Sequence, residues 1–177
     1  MRLSHSDAFY TGSVLWVFMR VVRDLIRQNK IRAEEFELRF INGLPDENML
    51  RDLNMEKIVH HAGYFHTEQA ILNRLRNSTG LLFIQRTEGL AIIPERFFKL
   101  LNLKRPLLVL TANRENYRRL LGWEGLYLAN FRDETSIADS LLRMVDDWQC
   151  LRDQRGRVFV LNMQDVELRS RNSAAET

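Results

Sequence analysis

Apolar residues along the chain follow two alternating patterns, short continuous runs and longer stretches with helical spacing. The runs predict β-strands, and stretches with apolar residues three and four positions apart predict amphipathic helices. The predicted strands cover residues 8–10, 36–41, 57–61, 81–84, 107–110 and 125–129. The predicted helices cover residues 14–26, 46–53, 68–76, 94–101, 114–121 and a stretch for which Asp133 is the N-cap.

Two predicted strands, 81–84 and 107–110, are apolar on both faces. Such strands belong inside a parallel sheet that helices cover on both sides. The alternation of strands and helices indicates the same arrangement. We therefore expect an α/β fold, a Rossmann-like three-layer α/β/α domain with a parallel sheet of about six strands. Residues 158–169 predict a final helix, with a strand at 158–161 as the alternative.

The length of 177 residues fits one domain of ordinary size. We place this domain at residues 1–170. Residues 171–177 contain no apolar anchor, so they predict a disordered tail.

Charge and cysteine content exclude several function classes. The net charge is only +3, with acidic residues interleaved almost everywhere, so no nucleic-acid partner is expected. Cys150 is the single cysteine, which rules out a disulfide within the chain and a cysteine-based zinc site. Because His60 and His61 are adjacent on a predicted strand, they point to opposite sides. We therefore predict no metal site.

A cytoplasmic location is the expectation from the same features. The polar start has no signal-peptide pattern, and the lone cysteine suits a reducing compartment. The most apolar stretch, residues 14–22, contains Arg20 and is too short to span a membrane. The basic cluster of Arg114, Arg118 and Arg119 predicts a solvated face, with peripheral contact to an anionic membrane surface as the alternative.

Two loops beyond predicted strands are candidates for binding an anion, since ligands of parallel sheets lie at the carboxyl ends of the strands. In the first, Gly12 would let the backbone approach a ligand and Ser13 would cap a helix; the alternative is a plain capped turn. In the second, Arg96 follows Pro94 in the first turn of a helix. A phosphate beside Arg96 would relieve its conflict with the helix dipole, whereas the alternative places Arg96 in water beside Glu95.

Several short segments follow one another in a distinctive order. They are Phe9-Tyr10-Thr11-Gly12-Ser13, Gly63-Tyr64-Phe65-His66-Thr67-Glu68, Glu88-Gly89, Pro94 with Arg96-Phe97-Phe98, Arg105-Pro106-Leu107-Leu108, and Asp133-Glu134-Thr135-Ser136-Ile137-Ala138. In this order, from about Asp7 to Trp148, they resemble the C-terminal, nucleotide-sugar-binding domain of the GT-B, group 1 glycosyltransferases.

The resemblance implies a Rossmann-like domain that holds a nucleotide-diphosphate sugar, from which the sugar passes to an acceptor in exopolysaccharide or other cell-surface glycan synthesis. It implies that Glu88 and Arg96 are catalytic. Positive groups and helix N–H groups would stabilise the departing diphosphate, so no metal or further cofactor is required.

The resemblance also implies a set of donor-binding residues. They are Gly12, Ser13, Tyr64, Phe65, His66, Gly89, Pro94, Glu95 and Lys99. The diphosphate would lie near the Gly12 loop and Arg96, the base near the Tyr64 loop, and the sugar near Glu88.

The chain departs from the family pattern at Lys99, where the family has a glutamate that holds the ribose hydroxyls. An ammonium group has no acceptor lone pair and cannot replace those hydrogen bonds. An alternative alignment uses Glu88 and Glu95 as the family's carboxylate pair, one residue short of the usual spacing. An ion pair between Lys99 and Glu95 that closed the crevice would argue against donor binding.

The acceptor-binding N-terminal domain of GT-B enzymes has no counterpart here. The expectation is therefore a fragment of a longer chain or a domain that works with a partner protein. An alternative is a catalytically inactive Rossmann-like binding or interaction module that has lost donor binding. A free-standing flavodoxin-like or receiver-like regulator is the third hypothesis, although the receiver type needs an aspartate at the end of a strand, and the apolar strands have none.

Overall fold

The apolar runs form the strands of one sheet, and the amphipathic stretches form the helices that cover it. The computed structural model describes residues 6–43, 45–85, 93–120, 122–150 and 159–164, without the side chains of 6–13, 118–119 and 162–164. In this part of the chain the helices are α1 Ser6–Arg27, α2 Glu47–Leu53, α3 Glu68–Arg76, α4 Glu95–Leu101 and α5 Glu134–Cys150. The strands are β1 Phe36–Ile41, β2 Val59–His61, β3 Gly80–Ile84, β4 Leu107–Leu110, β5 Leu126–Ala129 and β6 Phe159–Gln164. Two 3₁₀ helices cover Ala33–Glu35 and Arg114–Leu120.

All strand pairs of the described sheet are parallel, and the strand order is β2-β1-β6-β3-β4-β5. The last strand in sequence thus lies in the middle. β6 pairs with β1 along its whole length, from Phe36 opposite Phe159 to Ile41 opposite Gln164. On its other side it pairs with β3, where Gly80 lies opposite Leu161.

Each face of the sheet carries its own core. On the first face, which we call the α1 face, α1, α2 and α5 pack against residues such as Leu38, Leu82 and Leu108. On the second, the α4 face, α3, α4 and the 3₁₀ helix Arg114–Leu120 pack against residues such as Leu81 and Val109. Connections toward the β2 edge use the α1 face, and those toward the β5 edge use the α4 face, as crossovers of a single hand require.

The sheet has the strand order of a doubly wound Rossmann-like fold when β6 is counted first. Counted in this way, the strands follow as β6, β1, β2, β3, β4 and β5, and their spatial order becomes 3-2-1-4-5-6. The direction of winding then changes between β6 and β3. The predicted Rossmann-like three-layer architecture is confirmed.

Side-chain caps explain where three helices begin. Asp46 accepts hydrogen bonds from the backbone of Asn48 and Met49, and Thr67 accepts one from Ala70. The predicted N-cap Asp133 is confirmed, since its carboxylate accepts from the N–H groups of Thr135 and Ser136. These bonds satisfy N–H groups that have no partner within a helix.

Two predictions about the ends of the chain are wrong. Residues 8–10 are not a strand, because α1 begins at Ser6 and its helical spacing continues through them. Residues 159–164 form β6 rather than a helix, as the alternative held. Phe159 is fully buried and stacks with Phe36 at 5.6 Å between ring centroids, and Trp148 meets it edge-on at 5.4 Å. Burial between two strands therefore decides the conformation of this segment.

Candidate functional site

Uncharged polar side chains follow four of the parallel strands at the carboxyl edge of the sheet. Asn42 follows β1, Gln85 follows β3, Thr111 follows β4 and Asn130 follows β5. The first three are buried and Asn130 is half-buried. Ligands of parallel sheets bind beyond this edge, so these residues form the floor of the candidate site.

Asn42 fixes the loop that follows the neighbouring strand β2. Its side-chain Nδ2 donates to the backbone oxygen of Phe65 at 3.1 Å, and its Oδ1 accepts from the Phe65 N–H at 2.6 Å. The Asn42 N–H donates to the oxygen of Gly63 at 3.0 Å. Asn42 itself is in the left-handed region at φ 65°, which asparagine tolerates. Both ends of its amide are therefore used to hold one loop.

The loop held by Asn42 presents an aromatic ring to solvent. Tyr64 is 71% exposed, and its ring lies 4.4 Å from that of His61, tilted by 57°. Phe65 is half-buried and packs against the core of the α4 face, while His66 is exposed. The structure thus brings the three predicted base-contacting residues Tyr64, Phe65 and His66 together at the carboxyl edge.

Gln85 and Thr111 form a second polar group at this edge. The Thr111 hydroxyl donates to Gln85 Oε1 at 2.9 Å and accepts from the N–H of Asn113 at 3.1 Å. Among the described residues, Gln85 Nε2 has no hydrogen-bond partner. Gln85 is only 3% exposed.

The residues around α4 are placed only in part as predicted. Pro94 is the N-cap of α4, not its first helical residue, and Glu95 and Arg96 occupy the first turn. Arg96 is half-buried. Glu88 and Gly89 lie outside the described residues.

Gly12 and Ser13 do not form a loop after a strand. Both lie inside α1, whose backbone is helical from Ser6 to Arg27. A helical backbone uses its N–H groups within the helix. The predicted glycine loop is therefore wrong.

Lys99 is held by two carboxylates on the surface between α3 and α4. Its Nζ lies 2.9 Å from Glu68 Oε1 and 3.1 Å from Glu95 Oε1. Hydrogen bonds to Glu68 and then to Glu95 raise the pKa of Lys99 above its ordinary value. The ion pair that would argue against donor binding is present, although the Glu95 side chain is 83% exposed.

Asn42, Gln85 and Thr111 were not among the residues predicted for the site. The available signal was positional, because each is a polar residue directly after a predicted strand. Within the described segments, no three histidine, cysteine, aspartate or glutamate side chains cluster as metal ligands would. No helix in the described part of the chain combines the length and apolarity needed to cross a membrane.

Comparison with known proteins adds no relative to this picture. No protein-family model, no curated protein and no solved structure matches the chain.

Proposed function

We propose that the chain binds a nucleotide-diphosphate sugar at the carboxyl edge of its sheet and acts as the donor half of a glycosyltransferase in cell-surface glycan synthesis. The observation that carries the proposal is the exposed Tyr64 ring on a loop fixed by buried Asn42. An exposed aromatic ring on a loop that hydrogen bonds hold in place offers a face on which a flat ligand can stack.

The Tyr64 loop suits the base of the nucleotide. Every nucleobase has a π-face that stacks on an aromatic side chain, and a fixed ring loses little entropy on binding. Exposed His66 and half-buried Phe65 on the same loop would add polar and apolar contacts. The resemblance to the group 1 GT-B enzymes implies the same role for these residues.

The diphosphate would lie further along the same edge, toward α4. Arg96, half-buried in the first turn of α4, would supply a fixed positive charge. Guanidinium groups bind phosphate oxygens in a bidentate manner, and such a charge stabilises a departing diphosphate. Transfer would also need an acceptor-binding half, in the same chain or in a partner protein.

Thermal unfolding with uridine, guanosine and adenosine diphosphates at millimolar concentration tests the proposal. A ligand that binds only the folded state at ten times its Kd stabilises it by about 1.4 kcal/mol. For a protein of this size we expect a rise in Tm of about 3–6 °C with at least one of the three nucleotides. No rise with any of them would refute donor binding.

Tyr64→Ala tests the platform itself. Loss of base stacking should weaken binding of the active nucleotide by about tenfold, since stacking contributes roughly 1–3 kcal/mol per base. Trp123→Ala is the matched control, because Trp123 is another exposed ring, at 51%, that precedes β5 at the opposite edge. If the two variants bind the nucleotide with equal affinity, Tyr64 does not contact the base.

The ion pairs of Lys99 favour a second candidate function, a Rossmann-like interaction module that has lost donor binding. Lys99 stands where the resemblance requires an acceptor for ribose hydroxyls, and Glu68 and Glu95 already hold it. Lys99→Gln separates the candidates, because it supplies an acceptor and releases both carboxylates. Nucleotide binding that is retained or strengthened supports the donor-binding function, whereas no response in either protein supports the interaction module.

A further inference from the structure

Gln85 carries a buried hydrogen-bond donor that the described structure leaves unused. Its Oε1 accepts from the Thr111 hydroxyl at 2.9 Å, while its Nε2 has no partner among the described residues. A buried N–H group without a partner is destabilising, so such groups in a folded protein call for a physical reason.

The orientation of the amide follows from Thr111. The Thr111 oxygen accepts from the Asn113 N–H, so its hydroxyl hydrogen needs an acceptor, and Gln85 Oε1 is that acceptor. Turning the amide over would give the hydroxyl hydrogen no acceptor and would leave Oε1 unpaired as well. The unused group is therefore the Nε2 donor.

The position of Gln85 points to a ligand rather than to packing. It follows β3, the neighbour of β6, where the winding direction of the sheet changes and ligands of doubly wound folds bind. Side chains alternate along a strand, so Gln85 lies on the same face as Phe83, two residues earlier. The Phe83 ring lies 5.9 Å from that of Phe97 in α4, which puts Gln85 on the α4 face, beyond this ring pair at the carboxyl edge.

The Tyr117 hydroxyl is the other buried group without a partner among the described residues, and it does not lie at the end of a strand. Its ring belongs to an aromatic cluster, 5.0 Å from the ring of Phe97, in the core of the α4 face. Because Tyr117 lies on a 3₁₀ helix inside this core, it indicates no ligand.

We propose that Gln85 Nε2 donates a hydrogen bond to an oxygen atom of the bound nucleotide sugar, an inference that rests on the function proposed above. The shared chemistry is an uncharged N–H donor facing an oxygen acceptor. The acceptor is either a diphosphate oxygen or a hydroxyl of the transferred sugar, and both lie in the part of the donor that extends from the base toward the middle of the sheet.

Gln85→Met tests the assignment, because it removes the amide and keeps the length of the side chain. The affinity for uridine diphosphate and for uridine-diphosphate glucose is measured by calorimetry, or for the guanosine counterparts if these bind. We expect binding to weaken by about tenfold to a hundredfold, as for a lost hydrogen bond to a charged or well-placed acceptor. Equal loss for both ligands assigns the diphosphate, whereas loss for the sugar-bearing ligand alone assigns the sugar hydroxyl.

A structural role of Gln85 is detected in the ligand-free protein. The unused donor contributes nothing there, but Gln85→Met also removes the Oε1 acceptor of the buried Thr111 hydroxyl, so the comparison is made in a Thr111→Val background. In this background Gln85→Met should unfold no more than about 2 °C below its parent, since substitutions of similar volume are tolerated best. Gln69→Met is the matched control, because Gln69 is exposed on α3 and its amide pairs with Asn73. This control should change neither Tm nor affinity.

The outcomes separate this inference from the proposed function. If the wild type binds a nucleotide and Gln85→Met binds it equally well, the role of Gln85 is refuted while donor binding stands. If Gln85→Met loses several degrees of Tm in the ligand-free Thr111→Val background, the amide is a structural group and the inference is likewise overturned. If the wild type binds no nucleotide or nucleotide sugar, both proposals fail together.

Discussion

Two buried side-chain amides flank the central strand, and they differ in how completely they are hydrogen-bonded. Asn42 follows β1 on one side of β6 and uses its donor and its acceptor to hold the backbone of Phe65. Gln85 follows β3 on the other side and, among the described residues, uses only its acceptor. The side-chain amide of Asn42 thus holds a loop with both its nitrogen and its oxygen, whereas the nitrogen of Gln85 has no partner within the described part of the chain. The fold accounts for a buried amide that is bonded at both ends, whereas a half-bonded one still needs a partner, which the proposal above assigns to the ligand.

The largest expected loss of stability comes from removing the amide of Asn42, which is bonded at both ends. Asn42→Ala removes both side-chain hydrogen bonds to the Phe65 backbone and places alanine at φ 65°. We expect a loss of about 3 kcal/mol in the free energy of unfolding, measured with urea. Asn54→Ala is the control, because exposed Asn54 has φ 52° and isolates the backbone cost of about 1 kcal/mol. Equal losses in both variants would show that the amide of Asn42 does not stabilise the loop.

A smaller loss of stability tests the position of β6 between the strands that precede Asn42 and Gln85. The Cβ of Gly80→Ala would come within 2.9 Å of Phe159 Cζ in β6 and 2.5 Å of Met144 Cε in α5. Overpacking of this kind should reduce the free energy of unfolding by about 2 kcal/mol. Gly122→Ala, with no atom within 4 Å, should be neutral. If Gly80→Ala leaves the free energy of unfolding unchanged, β6 does not pack beside β3 as described. Asn42 and Gln85 would then not flank a common strand.

The smallest expected change in stability tests whether the hydroxyl of Tyr117, which has no partner among the described residues, destabilises the fold. Tyr117→Phe removes a buried hydroxyl that has no partner in the described structure, so stability at neutral pH should stay equal or rise by up to about 1 kcal/mol. A marked loss of stability would show instead that the hydroxyl is bonded in solution.

The same variant has a defined pH dependence. Burial raises the pKa of Tyr117 above its ordinary value of 10.0, so above this pH the unfolded chain releases a proton that the folded chain retains. Stability of the wild type should therefore fall as the pH rises above 10, and Tyr117→Phe should fall less steeply, by up to about 1.4 kcal/mol per pH unit. Denaturation at pH 9, 10 and 11 checks the two slopes, and parallel slopes would contradict the assignment.

The sequence was sufficient for the elements whose signals are local. The double-sided apolar runs of β3 and β4, the N-cap Asp133 and the limits of α3 all follow from residues within a few positions of one another. Local signals were not sufficient at the ends of the chain, where tertiary packing decides the conformation. Gly12-Ser13 looked like a turn, but it lies within the helix that covers the α1 face.

The site could be predicted only where one loop contains all its parts. Tyr64, Phe65 and His66 are consecutive, so the resemblance could name them together, and their role in base binding stays a prediction. Asn42 and Gln85 act through partners 23 and 26 residues away, and the sequence offers no local sign of those hydrogen bonds. Likewise, Lys99 was noted as a departure, but its bond to Glu68 spans 31 residues and depends on how α3 and α4 pack.

The placement of β6 has a consequence for the time course of biosynthesis. β1 and β3 each have an unpaired edge until β6 pairs between them, and β6 leaves the ribosome after the other described strands. Until then the nascent chain carries two partial sheets, β2-β1 and β3-β4-β5, whose inner edges are open to pairing with other chains. The final joining step connects residues more than a hundred positions apart, which slows folding. Chaperone dependence should therefore be greatest in the interval just before residues 159–164 emerge.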